Sequence, residues 1–212
     1  MIRLAVFDLD GTLVDSRRDL ADAANALVIE LGGAAIPERA IGDMVGEGAA
    51  VLVRRVLTEA GLKADVHDAL PRFLALYDAR LFDHTRPYDG IVETLETLRA
   101  RLPLAVLTNK PQAATDRMLE GLGLARFFRA AIGGDTALGR KPDPAGLIEL
   151  AGRAGVDAGS TVLVGDSPID LETARRAGTR VVIARYGFGY RDVELRSGEV
   201  GIADPRALAD LF

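Results

Sequence analysis

Cysteine and tryptophan are absent from this chain of 212 residues, and histidine occurs only twice. Without cysteine there is no disulfide framework, thiolate metal site, iron–sulfur cluster or cysteine nucleophile. The two histidines, His67 and His84, are too few for a three-histidine zinc site. Any metal that binds this chain is therefore expected to have oxygen ligands.

The chain also lacks an excess of positive charge and long apolar runs. Its formal net charge is −5 at pH 7, whereas nucleic-acid-binding domains usually carry a concentrated basic face. No segment approaches the roughly 20 consecutive apolar residues that a membrane span needs. The N-terminus lacks the basic, apolar and small-residue sections of a signal peptide. These absences predict a cytoplasmic protein with no nucleic-acid or membrane partner.

The spacing of the apolar residues divides the chain into two parts. Residues 2–7 form a nearly continuous apolar run, typical of a buried parallel strand. Residues 16–84 have helical spacing, whereas strand-like runs and amphipathic helices alternate after residue 90. The sequence therefore predicts an α/β fold with a doubly wound parallel sheet, formed by residues 1–15 and 85–212. Residues 16–84 are predicted to be a helical insertion, with hinges near its two ends.

Chemically reactive side chains follow four of the predicted strands in succession. In chain order they are Asp8, Asp10 and Thr12; Thr108 and Asn109; Lys141; and Asp166 and Asp170. Ligands of open α/β sheets bind beyond the carboxyl ends of the strands, so we expect these side chains to meet in one site. Each one taken alone has a simpler explanation, because acids and threonines at such positions often cap the following helix.

The clustering of several acids at one edge of the sheet indicates a bound cation. Two carboxylates about 4–5 Å apart repel each other by roughly 3–4 kcal/mol at an effective dielectric constant near 20. Mg²⁺ is favoured because it prefers oxygen ligands, keeps several waters and readily binds a phosphate oxygen. Acids, lysine and metal together suit phosphoryl transfer through an aspartyl-phosphate, with a second acid protonating the departing oxygen.

Four sequence motifs contain these side chains. They are Asp8-Leu9-Asp10-Gly11-Thr12-Leu13-Val14-Asp15-Ser16, Thr108-Asn109-Lys110, Lys141-Pro142 and Gly165-Asp166-Ser167-Pro168-Ile169-Asp170. Over essentially the whole chain, their content and order resemble the haloacid dehalogenase-like hydrolase superfamily. The resemblance includes a helical cap of the type inserted after the first motif, where this chain has its insertion.

The resemblance implies a role for each of these residues. Asp8 would be the nucleophile and a metal ligand, and Asp10 would be the general acid/base and bind the metal through its backbone carbonyl. Asp166 would complete the Mg²⁺ site, with Asp170 in a supporting position. Thr108 would hold the phosphoryl group and Lys141 would stabilise the transition state. We also expect Thr12 and Asn109 to contribute to substrate binding.

The same motifs separate the branches of the superfamily. Its dehalogenases and phosphonate hydrolases lack the second acid, Asp10, and P-type pumps have a lysine where this chain has Leu9. Within the remaining branch, residues 45–48, 107–111 and 132–135 resemble phosphoglycolate phosphatases, which implies 2-phosphoglycolate as the substrate. Pyrophosphatase, sugar-phosphate phosphatase and phosphomutase activities stay open, as does a non-catalytic phosphate- or metal-binding module.

A phosphorylated two-carbon acid carries a carboxylate beyond its phosphoryl group. We expect the insertion to supply a cation or a cluster of N–H donors for it. The cationic candidates are Arg17, Arg18, Arg54 and Arg55. Gly46 and Glu47 are candidates for a substrate-contacting loop, since glycine permits close backbone approach. The sequence leaves the choice between monomer and homodimer open.

Overall fold

The computed structural model describes all 212 residues. Its strands are β1 (Leu4–Phe7), β2 (Val14–Asp15), β3 (Arg86–Pro87), β4 (Leu104–Leu107), β5 (Ala130–Ile132), β6 (Thr161–Gly165), β7 (Arg180–Ala184) and β8 (Val200–Ile202). Its helices are α1 (Arg17–Glu30), α2 (Glu38–Gly42), α3 (Ala49–Glu59), α4 (Val66–Asp78), α5 (Ile91–Arg99), α6 (Gln112–Gly121), α7 (Ala145–Ala154), α8 (Pro168–Ala177) and α9 (Leu208–Leu211).

A six-stranded parallel sheet in the order β5-β4-β1-β6-β7-β8 confirms the predicted α/β fold. All four residues of β1 are buried, as expected of a central strand with both faces covered. β1 pairs with β4 on one side and β6 on the other. The carboxyl ends of these three strands therefore lie side by side, which places Asp8, Thr108 and Asp166 at the same edge.

Helices α1 to α4 form the part of the chain predicted to be the helical insertion. Their apolar faces belong to a cluster of 37 buried residues that also includes the sheet. Phe7 of β1, Leu27 of α1 and Phe73 of α4 are all members of this cluster. The insertion and the sheet thus share one continuous apolar core.

The chain enters and leaves the insertion through a two-stranded antiparallel ribbon. Val14 of β2 pairs with Pro87 of β3, and Asp15 pairs with Arg86. The ribbon coincides with the two segments that the sequence predicts to be hinges. Just inside it, the buried Asp19 carboxylate accepts hydrogen bonds from the backbone N–H groups of residues 84 and 85.

The structure departs from the sequence prediction in four elements, β8, α2, α3 and α4. Strand β8 was not predicted, because three residues with a central glycine give little apolar signal. The short helix α2 was also missed. Apolar spacing predicts helices over about residues 51–62 and 68–81, whereas α3 and α4 begin two residues earlier and end at Glu59 and Asp78. None of the helices has the length and apolar character that crossing a membrane requires.

Candidate active site

The candidate site begins at the end of β1, where Asp8 leaves the sheet. Its backbone N–H donates to the Val164 carbonyl at 2.8 Å, so the sheet fixes where the carboxylate starts. Three residues later the chain turns sharply at Gly11, which has a φ of +87°. A Cβ atom at Gly11 would overlap the carboxylate of Asp166. The glycine therefore serves two purposes, since it allows the turn and leaves space for a second acid.

Three buried carboxylates meet beside this turn. Asp8, Asp166 and Asp170 offer oxygen atoms that all lie within 4.8 Å of one another. Burial raises the pKa of Asp8 to about 6 although Lys141 opposes the shift. Burial also raises the pKa of Asp166 well above its usual value, and Asp170 and Asp8 add to the effect. Such acids are destabilised as anions, and a hard divalent cation with oxygen ligands would relieve that destabilisation.

Lys141 supplies the positive charge inside this cluster. Its Nζ lies 2.7 Å from Oδ1 of Asp8 and 2.6 Å from Oδ1 of Asp170. Burial alone would lower the pKa of Lys141, but these two carboxylates raise it above its ordinary value. The lysine is therefore held in its charged form. One cation faces three acids, so the cluster keeps an excess of negative charge.

Asp166 is held by a loop that lies outside the four sequence motifs. The backbone N–H groups of Phe188 and Gly189 donate to its Oδ2 at 3.0 and 2.7 Å. A Cβ at Gly187 would overlap the same side chain. The closely spaced glycines after β7 were the available sequence signal, because they permit backbone to approach a buried acid.

Asp170 combines a capping role with its place in the cluster. Its Oδ2 accepts hydrogen bonds from the backbone and hydroxyl of Ser167, which completes a capping box at the start of α8. Its other oxygen, Oδ1, contacts Lys141. Ser167 rather than Asp166 is therefore the helix cap, so the carboxylate of Asp166 is not used for capping.

Asp10 lies next to this cluster, but its carboxylate is bound by other groups. Ser16 Oγ donates to Oδ1 at 2.6 Å. The Nζ of Lys110 lies 3.0 Å from Oδ2 and 2.8 Å from the hydroxyl of Tyr77 on α4. Burial alone would lower the pKa of Lys110, but Asp10 and Tyr77 raise it. Lys110 and Tyr77 were not assigned a role from the sequence, although Lys110 belongs to one of the motifs.

The two residues before Lys110 connect the end of β4 to the rest of the site. Thr108 is buried, and its backbone N–H donates to the Ile132 carbonyl of β5. The Asn109 amide donates at 2.9 Å to the carbonyls of both Gly46 and Lys141. Asn109 therefore joins the insertion to the segment that carries Lys141.

A cavity between the insertion and the sheet opens onto Asp8, Asp10 and residues 108–110, whereas Lys141, Asp166 and Asp170 lie behind its lining. Its lining residues are Asp8, Asp10, Leu20, Val45, Gly46, Gly48, Ala49, Leu52, Phe73, Leu74, Tyr77, Thr108, Asn109, Lys110, Pro111 and Ala114. Thr12 and Glu47, both expected to bind substrate, are not among them. Thr12 is fully buried, and the Glu47 carboxylate is paired with Arg55. The four arginine candidates also lie outside the lining.

Comparison with known proteins agrees with this arrangement. Residues 5–184 match the sequence profile of the haloacid dehalogenase-like hydrolase family. The chain belongs to this family. Because the match runs from β1 to β7, it includes all four strand ends that form the site.

Relatives within the haloacid dehalogenase-like hydrolases include named enzymes. The phosphoglycolate phosphatase of Pseudomonas putida is 42% identical over 212 residues, covering 97% of this chain and 78% of that protein. The phosphoglycolate phosphatase of Rhodospirillum rubrum is 43% identical, covering 91% and 83% respectively. A crystal structure described as a predicted phosphoglycolate phosphatase, from Haemophilus somnus, has a TM-score of 0.91 at 30% identity and covers 99% of this chain and 97% of its own.

Proposed function

We propose that this protein is a Mg²⁺-dependent phosphatase that hydrolyses 2-phosphoglycolate to glycolate and phosphate. The observation that carries the proposal is the contact of Lys141 with both Asp8 and Asp170, beside Asp166. Asp8 also lines the cavity, so a substrate in the cavity can reach its carboxylate. These are the groups that phosphoryl transfer to a carboxylate requires. The proposed substrate rests on the phosphoglycolate phosphatases that are 42 and 43% identical to this chain over the aligned residues.

The carboxylate cluster fits a magnesium ion. Asp8 and Asp166 would hold the ion, together with the backbone carbonyl of Asp10, and Asp170 would support the site. The fit rests on a donor set made only of oxygen, and on buried acids whose charge Lys141 balances only in part. When bound, the ion offsets negative charge on the phosphoryl oxygens.

Asp8 acts as the nucleophile. A carboxylate oxygen of Asp8 forms a bond to phosphorus while the bond between phosphorus and the leaving oxygen breaks, which gives an aspartyl-phosphate. Thr108, which lines the cavity beside Asp8, holds the phosphoryl group. The charged Lys141 stabilises the negative charge that develops on the phosphoryl oxygens.

Asp10 moves the proton in both steps. The proton that Asp10 carries at the start of the cycle passes to the leaving oxygen as glycolate departs. In the second step Asp10 takes a proton from the water that attacks phosphorus. The bond between phosphorus and Asp8 then breaks, which releases phosphate and restores the free carboxylate. Ser16 and Lys110 hold the Asp10 carboxylate at the edge of the cavity, where both transfers take place.

The helical insertion, residues 16–84, serves as a cap over the core formed by residues 1–15 and 85–212. The cavity supports this division, since Leu52 and Phe73 line it from the insertion and Thr108 lines it from the core. Substrate entry requires the cap to move, and the ribbon of β2 and β3 is the hinge. Small-angle scattering with and without inorganic phosphate tests the motion. Identical scattering profiles would contradict it.

Phosphate release from a panel of esters tests the function. The panel contains 2-phosphoglycolate, pyrophosphate, a hexose phosphate and a nucleoside monophosphate, ranked by kcat/KM. We expect 2-phosphoglycolate to rank first, with activity lost in EDTA and in Asp8→Asn. Asp68→Asn is the matched control, because Asp68 is an exposed acid on α4. Equal activity with Mg²⁺, with EDTA and in Asp8→Asn would overturn the phosphatase assignment, and another ester in first place would overturn the substrate.

A further inference from the structure

The proposed function leaves one charge of the substrate without a partner. After the phosphoryl group is bound, 2-phosphoglycolate still presents a carboxylate to the rest of the cavity. Most of the cavity wall on the side of the insertion is apolar, formed by residues such as Leu52 and Phe73. An anion placed against that wall would lose its hydration without compensation. A cationic or hydrogen-bonding group must therefore face it.

The arginines of the insertion do not meet this requirement. Arg17 pairs with Asp15, and Arg55 pairs with Glu47 and donates to a backbone carbonyl. Arg18 and Arg54 are exposed. Lys110, at the end of β4, is the one cationic side chain that lines the cavity. The cation therefore comes from the core rather than from the insertion.

Lys110 is positioned as a binding group. Its side chain is only 4% exposed, and its Nζ contacts Asp10 and the hydroxyl of Tyr77. An ammonium group has three N–H donors. The two oxygens of Asp10 can share one of them and Tyr77 takes another, which leaves one N–H. Tyr77 accepts from Lys110 and donates no hydrogen bond in the structure, so its O–H is also available.

The position of Asp10 fixes where these donors stand relative to the substrate. In the proposed mechanism Asp10 protonates the oxygen that bridges phosphorus and glycolate. Only one methylene carbon separates that oxygen from the carboxylate of 2-phosphoglycolate. A group in direct contact with Asp10 on the side of the cavity is therefore within reach of the carboxylate. Lys110 and Tyr77 both line the cavity, one from the core and one from α4.

We propose that the Lys110 ammonium and the Tyr77 hydroxyl form the subsite that binds the carboxylate of the leaving group. This inference rests on the proposed function, because it takes the leaving group to be a small carboxylic acid. The subsite recognises a carboxylate one carbon away from the phosphate ester oxygen. It also explains how an apolar cap accommodates a substrate with two anionic groups.

The test compares 2-phosphoglycolate with ethyl phosphate, which has the same number of carbons but no carboxylate. Wild type is expected to prefer 2-phosphoglycolate. Lys110→Met should reduce the ratio of the two kcat/KM values by about 10- to 100-fold, as expected for loss of a charged hydrogen bond. Damage to Asp10 should slow both substrates to a similar extent, because both leaving groups are primary alcohols, so it largely cancels in the ratio. Tyr77→Phe should reduce the ratio by a smaller factor, and Lys110→Arg should keep more of it than Lys110→Met.

Lys63→Met is the control, because Lys63 is exposed and lies away from the cavity. Thermal unfolding checks that each variant folds. If Lys110→Met does not fold, the ratios measured for Tyr77→Phe and Lys110→Arg test the subsite. An unchanged ratio in all folded variants overturns the subsite while the phosphatase and its substrate stand. A wild-type enzyme that hydrolyses ethyl phosphate but not 2-phosphoglycolate overturns the proposed substrate, and the subsite with it.

Discussion

The Nζ of Lys141 lies 2.7 Å from Oδ1 of Asp8, and both side chains are almost completely buried. The ammonium also contacts Asp170, which is anchored by the capping box of α8. A rigid helix start therefore holds the lysine, and the lysine in turn orients the Asp8 carboxylate, which we propose attacks phosphorus. Asp8 is thus fixed at two points, since the end of β1 holds its backbone.

Replacing Lys141 by methionine should slow turnover without preventing folding. We expect kcat to fall by about 10²- to 10³-fold, the usual loss when one stabilising group for transition-state charge is removed. Unfolding should also occur at a lower temperature, because removing one partner of a buried ion pair leaves charge uncompensated. Steady-state kinetics and thermal unfolding measure the two effects. Lys63→Met is the control, and wild-type kcat in a folded Lys141→Met protein would contradict the role.

Replacing Asp10 by asparagine should affect poor leaving groups most. General acid catalysis contributes about 10²- to 10⁴-fold, and less when the leaving oxygen departs readily without a proton. The loss in kcat should therefore be larger with 2-phosphoglycolate than with 4-nitrophenyl phosphate. Asp68→Asn should leave both rates unchanged. Equal losses with the two substrates would show that Asp10 does not protonate the leaving group.

Two glycine substitutions separate backbone strain from crowding of the metal site. Gly11 and Gly32 have similar φ values of +87° and +82°, so the backbone strain of alanine should cost each about 1 kcal/mol of stability. A Cβ at Gly11 would overlap the Asp166 carboxylate, whereas a Cβ at Gly32 would meet nothing within 4 Å. Only Gly11→Ala is expected to weaken Mg²⁺ binding and activity. Calorimetric titration with Mg²⁺ measures this, and similar affinities in the two variants would refute it.

Stabilisation by Mg²⁺ should depend on pH. The pKa of Asp8 is raised from 3.8 to about 6 in the folded protein. The ionised carboxylate therefore destabilises the metal-free fold fully above pH 6, and this destabilisation decreases as the pH falls from 6 towards 3.8. Mg²⁺ must displace the proton at low pH but meets a free carboxylate at neutral pH. The increase in Tm caused by Mg²⁺ should therefore be larger at about pH 7.5 than at about pH 5.

The Asp8→Asn variant provides the comparison for this pH effect. Asparagine has no proton to lose at this position, so the difference between the two pH values should shrink. Each Tm shift is measured against EDTA at the same pH, which removes the contribution of groups outside the metal site. A wild-type shift of equal size at both pH values would be inconsistent with the predicted competition.

The edge of the sheet that carries the reactive groups could be predicted because strand position alone determines it. Asp8, Thr108 and Asp166 each follow an apolar run, and parallel strands bring such positions together whatever the details of packing. The local pattern of apolar residues is therefore sufficient to predict both the fold class and the strand ends at which these three side chains lie. Their individual roles are proposals that rest on the chemistry of the assembled site.

The surroundings of Asp10 and Asp166 could not be predicted in the same way. The contact between Lys110 and Tyr77 joins a strand end to a helix of the insertion, and it depends on how α4 packs against the core. The loop at Gly187 reaches Asp166 only because β7 lies next to β6 in the sheet. Contacts between residues distant in sequence leave no periodic signal, so these partners emerge only from the folded chain.

The ribbon of β2 and β3 has a consequence for how such an enzyme can diversify. Because Asp15 and Arg86 are paired neighbours, the ends of the intervening segment almost coincide in space. That segment can be lengthened, shortened or exchanged between relatives without moving any strand of the sheet. A change within the segment can therefore alter the side of the cavity that carries Tyr77, while the strand ends that carry Asp8, Thr108 and Asp166 keep their positions.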